Sequence, residues 1–412
     1  MAYNRKQRLN DNIKAIETAF ILDREQRTPT ARERLLLERY CGFGGLKCIL
    51  NPARELADAV HWAKSDLELF APTVDLHRLI RENSKNESEY KQLMDSLKQS
   101  VLTAFYTSSA VTEALTDVLK EHQIIPEKVL EPSAGIGAFV DSVLDNNPKA
   151  DIMAFEKDLL TGKILRHLHP EQKVRIEGFE KIEKPFNDYF DLAISNIPFG
   201  DVAVFDPSYT AMKGMRALVT RRIHNYFFVK ALDTVRDGGL VAFITSQGVL
   251  NAKNNSAARF MMLYHADLVS AIRLPNNLFT ENANTEVGSD LIILQKNSQK
   301  ESLRGDDNLL DTVYNDENRI PTNNYFLEHP ERIIHTTAKL DTDPFGKPAM
   351  IYTHEDGVEG IAEDLRKMLH EDFKKNLNLN RYLGIEETKA EEVKEVEETE
   401  KIEKTEKIKP SI

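Results

Sequence analysis

From Val111 to Lys296 the chain alternates helical segments with short apolar or β-branched runs, and this succession constrains its fold more than any other feature. VTEALTDVLKEH carries apolar residues at helical spacing and leads into KVLEPSA, a strand and turn. GAFVDSVLDNN then reads as a helix, DIMAFEKD as a strand and turn, LTGKILRHLH as a helix, KVRIEGFEKI as a strand and loop, and YFDLAISN as a strand. After a long loop come the helix HNYFFVKALDTVRDGG, the strand GLVAFITSQGV, the helix AARFMMLYHA, and two strands, DLVSAIRLP and SDLIILQK. Strands alternating with helices are joined by crossovers. The expected fold class is therefore α/β, an open and largely parallel Rossmann-like sheet with helices on both faces. Such sheets bind ligands beyond the carboxyl ends of their strands, near the point where strand order reverses.

The flanks follow other patterns. NDNIKAIETAFILDRE and TPTARERLLLERYCGFGG carry apolar residues three and four apart. Thr28 or Thr30 is placed to cap the second helix, and Gly42, Gly44 and Gly45 to end it. Asn86 to Ser100 is a third helical stretch. Residues 1–104 are thus expected to form a helical N-terminal module, 105–300 the α/β domain, and 301–384 a small mixed C-terminal extension. The tail, 385–412, repeats TEKIEK/TEKIKP imperfectly and has almost no core-forming residues, so it is expected to be disordered.

With 41% hydrophobic residues in 412, the chain can bury a sizeable core. No apolar run approaches the roughly 20 residues needed to span a bilayer, so no membrane is expected. The polar start MAYNRKQRLNDN does not resemble a secretory signal, and a cytoplasmic protein is expected. Cys41 and Cys48 are the two cysteines, with no metal-ligand cluster around them, so neither a disulfide nor a metal is expected. The formal net charge is -12, of which the tail, with ten Glu and six Lys, holds -4. Any nucleic-acid contact must come from local patches such as Lys213, Arg216, Arg221 and Arg222.

Three motifs fall at strand ends. In Val129 to Phe139, VLEPSAGIGAF, a strand runs into a glycine turn that opens a helix. Gly135 and Gly137 let the backbone approach a ligand, and the helix start supplies free N–H groups. Glu131 would repel a pyrophosphate but can accept hydrogen bonds from a cationic amino-acid ligand. Glu156, about 20 residues further on in Phe155-Glu156-Lys157-Asp158, is placed to accept both ribose hydroxyls of an adenosine; alone, it reads equally well as a surface acid. Third is Asn196-Ile197-Pro198-Phe199. Pro198 fixes its own φ and holds Ile197 extended, giving a stiff loop. The Asn196 side-chain carbonyl and the Ile197 backbone carbonyl can then accept the two hydrogens of an exocyclic amino group, with Phe199 stacking on its planar ring. The plainer alternative is a capping Asn followed by a buried Phe.

In this order, the motifs resemble those of class I S-adenosylmethionine-dependent N6-adenine DNA methyltransferases, and among these the methylase modules of mobile elements and of type I and Eco57I-like restriction-modification systems. The likeness covers about Phe105 to Lys296. It implies a class I methyltransferase sheet and S-adenosylmethionine as cofactor. Cofactor contacts are implied at Tyr106, Thr107, Glu131, Pro132, Ser133, Ala134, Gly135, Gly137, Phe139, Glu156, Lys157 and Phe179. Asn196, Ile197, Pro198 and Phe199 become the catalytic loop. Asn225, Tyr226, Phe227, Arg221 and Arg222 become substrate-binding residues. Three positions depart from the family pattern: Ser108 and Ile197 stand where Pro is usual, and Gly178 where an acid or polar residue faces the adenine amine. At Ile197 the chemistry asks only for a backbone oxygen.

The resemblance implies methyl transfer to N6 of a flipped adenine in DNA, with a specificity or helicase protein as partner. Two other readings stay open: a methyltransferase for protein amides such as glutamine, which the acidic charge favours, and a non-catalytic DNA-binding or antirestriction module of a mobile element.

Overall fold

The structure, a computed structural model, describes residues 4–103, 106–212, 214–280, 286–303, 307–314, 319–343 and 346–385. Phe105, Lys213 and the tail residues 386–412 lie outside these.

Seven strands form one sheet in the order β3-β2-β1-β4-β5-β7-β6. They are β1 (Lys128–Glu131), β2 (Asp151–Phe155), β3 (Lys173–Arg175), β4 (Phe190–Asn196), β5 (Val235–Ser246), β6 (Ala266–Leu274) and β7 (Ser289–Lys296). Strands β1 to β5 pair in parallel, while β7 runs antiparallel between β5 and β6. The sequence shows no helix between the last two strands, and consecutive strands without a crossover can pair antiparallel. Strand order reverses at β1 and β4, the neighbours at the centre.

Each face of the sheet carries a core. On one face, Val129, Ile152, Ile194, Ala242 and Ile293 pack against α5 (Ser109–Glu121) and α6 (Ala138–Asn146). On the other, Leu130, Met153, Ala193, Phe243 and Ile292 pack against α8 (Ile223–Thr234) and α9 (Ser256–His265). Alternate residues of one strand thus serve opposite layers, as the period of two requires, and burying each such Leu or Ile contributes about 1.5–3 kcal/mol.

The N-terminal helices α1 (Arg5–Glu25), α2 (Ala31–Leu37), α3 (Phe70–Glu82) and α4 (Glu87–Thr103) share a third core with Leu160, Ile164 and Leu168 of α7 (Leu159–Leu168). Of the two threonines, Thr30 is the cap: its hydroxyl accepts from Glu33 N–H at 3.3 Å, and the Glu33 carboxylate accepts from Thr30 N–H at 2.8 Å. The helix ends before the glycines, at Leu37, and α3 has no counterpart in the sequence reading. The stretch 301–384 contributes more than small elements. Its helix α10 (Gly357–Asn376) sends Val358, Ile361, Leu365, Leu369 and Phe373 into the same core as α5 and β6.

Candidate active site

Strands β2, β1 and β4 lie side by side and parallel, so the three motifs emerge together at one edge. After Glu131 the chain turns through Gly135 (φ 58°) and Gly137 (φ 97°) into α6. A side chain at Gly135 would meet Tyr106 Cε1 at 2.8 Å, and one at Gly137 would meet His169 Cδ2 at 2.9 Å. Both positions therefore need glycine for conformation and for space. Ala134 N–H donates to Phe155 O at 2.8 Å, fastening the turn to the end of β2.

Glu156 holds this junction. Its two carboxylate oxygens accept from Gly135 N–H at 2.8 Å and Asp158 N–H at 2.7 Å. Burial, together with the neighbouring Asp158 charge, nevertheless pushes its pKa up to about 8. Glu131 is 2% exposed, and its Oε2 accepts no hydrogen bond. Burial raises its pKa well above the usual carboxylate range, with Asp141 and Glu156 adding to the effect. The Thr107 hydroxyl is also buried and holds no hydrogen bond. A cleft of about 220 Å³ opens between Thr107, Thr112 and Glu113 on one side and Ile136, Ala138 and Asp141 on the other. Buried carboxyls lacking a counter-charge fit a cationic ligand, and a glycine turn tied to Glu156 fits a close-lying hydroxylated one.

Asn196 ends β4 opposite Ile244 of β5, and Ile197 N–H donates to Ile244 O at 3.0 Å. The Ile197 side chain, 1% exposed, packs into the core beneath the loop. The residue that departs from the family pattern thus anchors the loop by burial. Phe199 is half-buried, its ring 6.0 Å from Phe279 in an edge-on contact.

The other expected site residues divide between core and surface. Phe179 is 1% exposed and packs among Phe155, Tyr226 and Phe227 at 5.8, 6.4 and 5.3 Å. Tyr226 and Phe227 are buried on α8, which faces the sheet core, and they present no ring face to solvent. Asn225 is buried and donates to Asn255 Oδ1 at 2.9 Å. Lys157 and Arg221 are exposed, while Arg222 pairs with Asp201 at 2.7 Å and Arg216 with Asp233 at 2.5 Å. Two of the cations expected to meet a phosphate backbone are therefore held by carboxylates.

The sequence reading overlooked Asp206. It is 3% exposed and accepts from Tyr226 Oη at 2.7 Å, Lys230 Nζ at 3.3 Å, and Ser208 N and Oγ at 2.8 and 2.6 Å. This carboxylate pins the segment after the candidate catalytic loop onto α8. The run Asp206-Pro207-Ser208, an acid followed by Pro at a helix start, was the available signal. Among the described residues, no cluster of His, Cys, Asp and Glu could hold a metal, and no helix is long and apolar enough to cross a membrane.

The protein family described as N-6 DNA Methylase matches residues 88–391 of the chain. The Defense against restriction protein B of Escherichia phage P1 is 28% identical over 201 residues, covering 47% of this chain and 8% of that protein. The type II methyltransferase M.XamI of Xanthomonas campestris pv. amaranthicola is 24% identical over 173 residues, covering 39% of this chain and 33% of that protein. The chain therefore spans only a minor part of the length of either relative. Among solved structures, the type I restriction-modification system methyltransferase subunit from Streptococcus thermophilus is 12% identical, covers 91% of this chain and 94% of its own, and gives a TM-score of 0.40.

Proposed function

Because the chain belongs to the N-6 DNA methylase family, we propose that it methylates N6 of adenine in DNA, at specific sites, with S-adenosylmethionine as methyl donor. The observation that carries this reading is the meeting of Glu131, Glu156 and Asn196 at the carboxyl ends of three adjacent parallel strands. When bound, the cofactor supplies an electrophilic methyl group. Glu131 and Thr107 would hold its charged amino-acid part, and Glu156 its ribose hydroxyls.

Asn196 Oδ1 and the Ile197 carbonyl accept the two hydrogens of the target amine. Held this way, the nitrogen lone pair leaves conjugation with the ring and becomes nucleophilic. Phe199, backed by Phe279, stacks on the base, which leaves the duplex at an unstacking cost of a few kcal/mol. Positioning supplies most of the acceleration, and no covalent enzyme intermediate is required.

Site selection is assigned to a specificity or helicase partner. The acidic net charge of -12 and the engagement of Arg216 and Arg222 by carboxylates support this. A reaction on cellular DNA sets the protein in the cytoplasm.

The test is incubation with labelled S-adenosylmethionine and unmethylated DNA, comparing wild type with Asn196→Ala. Transfer to DNA should fall about a hundredfold or more in the variant while cofactor binding persists. Label entering protein only, or equal transfer by both proteins, would sink the proposal.

A further inference from the structure

Several buried polar atoms that hold no hydrogen bond gather at a second place in the fold. Thr107 Oγ1 lines the cleft already described, and Glu131 Oε2 ends β1 at the same candidate site. Thr245 Oγ1, Gln247 Nε2 and Ser289 Oγ instead lie around the end of β5 and the start of β7. Buried donors and acceptors in folded proteins are nearly always paired, so such a set calls for an explanation.

Gln247 is the best built of them. It lies just past the end of β5, three residues beyond Ile244, the residue that pairs with Asn196 and accepts from Ile197 N–H. Gly288 holds it in place. Gln247 N–H donates to Gly288 O at 3.2 Å, and a side chain at Gly288 would meet Gln247 Nε2 at 2.6 Å. The carboxamide thus lies close over the Gly288 backbone. The adjoining Val287 packs against the same core as Phe199, whose ring also meets Phe279. A donor shielded from water and lacking an acceptor thus stands just past the strand that pairs with β4, three residues beyond the partner of Asn196.

We infer that Gln247 is a specificity residue whose carboxamide nitrogen donates to the ring nitrogen next to the target amine, an inference that rests on the function proposed above. In adenine, the carbon bearing the amine is flanked on the ring edges by two acceptors, N1 and N7. The Asn196 and Ile197 carbonyls take the amine hydrogens, and Gln247 supplies the complementary donor. On the edge carrying N1, guanine and thymine present an N–H beside a carbonyl, the reverse pattern; on the edge carrying N7, guanine keeps the ring acceptor and is rejected by its carbonyl facing those of Asn196 and Ile197.

Methylation-sensitive sequencing of DNA from expressing cells supplies the target site. Duplexes with adenine, 1-deazaadenine or 7-deazaadenine at that site are then methylated by wild type and by Gln247→Leu. Wild type should lose about ten- to a hundredfold in kcat/KM on at least one analogue, because the buried donor is left unpaired. Gln247→Leu should be reduced to a similar degree on adenine, no longer distinguish that analogue, and bind S-adenosylmethionine as wild type does. Equal wild-type rates on all three bases would overturn the inference and leave the proposed function standing, and this arm needs no variant. A Leu variant that keeps the wild-type preference would overturn it too. Wild-type silence on all DNA would defeat both.

Discussion

Glu156 offers a quantitative test, because burial raises its carboxyl pKa while the proposed role asks it to accept two hydroxyl hydrogens as a carboxylate. Burial, reinforced by Asp158, pushes its pKa up to about 8. The sign follows directly. A folded pKa above the unfolded value of about 4.3 means that the folded state holds the extra proton, so this carboxyl lowers stability as pH rises from about 4.3 to about 8. A ligand needing the carboxylate binds more tightly as pH rises toward and through about 8. At pH 7 about a tenth of Glu156 is ionised, and at pH 9 about nine tenths, so affinity should rise about tenfold between them. The ligand of choice is 5′-methylthioadenosine, which keeps the ribose hydroxyls but has no titrating amino-acid group. Calorimetry at pH 7 in two buffers of different ionisation enthalpy should count nearly one proton released per ligand bound. In Glu156→Gln, the amide can accept from only one of Gly135 N–H and Asp158 N–H, so binding should be weak and independent of pH. Wild-type affinity that stays flat from pH 7 to 9, or proton uptake on binding, would refute the reasoning.

Two further predictions concern the scaffold. Gly137→Ala places a side chain at φ 97° and against His169, and should cost about 2–3 kcal/mol in urea denaturation; an unchanged midpoint would remove the strain argument. Asp206→Ala leaves Lys230 buried without its partner and Tyr226 Oη without its acceptor, so about 3 kcal/mol should be lost. Limited proteolysis should then cut within residues 201–222 faster than in wild type, and an unaltered cleavage pattern would show that other contacts hold the segment.

The strand-turn-helix units and the ordering of the three motifs were legible in the sequence because they depend on near neighbours. Glycine at a turn, an acid after a strand, and a proline that stiffens the next loop each act within a few residues. The same locality explains why the cap of the second helix could be narrowed to Thr28 or Thr30, while its partner Glu33 emerged only in the structure. Helix α10 could not be placed, because its apolar face is defined by α5 and β6, more than 80 residues away in sequence.

Side-chain destination was a tertiary decision. On α8, the residues from His224 to Leu232 are buried all round, so periodicity offers no face to choose between a pocket and a core. Packing against β5 decided it, sending Tyr226 and Phe227 inward and tying Tyr226 to Asp206. Ile197 shows both levels at once. Its backbone role was readable from the chemistry of the loop, while its side chain's place in the core was settled only when β4 and β5 came together. Gln247 carries no local signal. Its significance arises because β7 returns antiparallel beside β5 and brings Gly288 against it, a contact between residues 41 positions apart. Sequence determined which groups stand at the strand ends, and the closing of the sheet determined which of them are left without a partner.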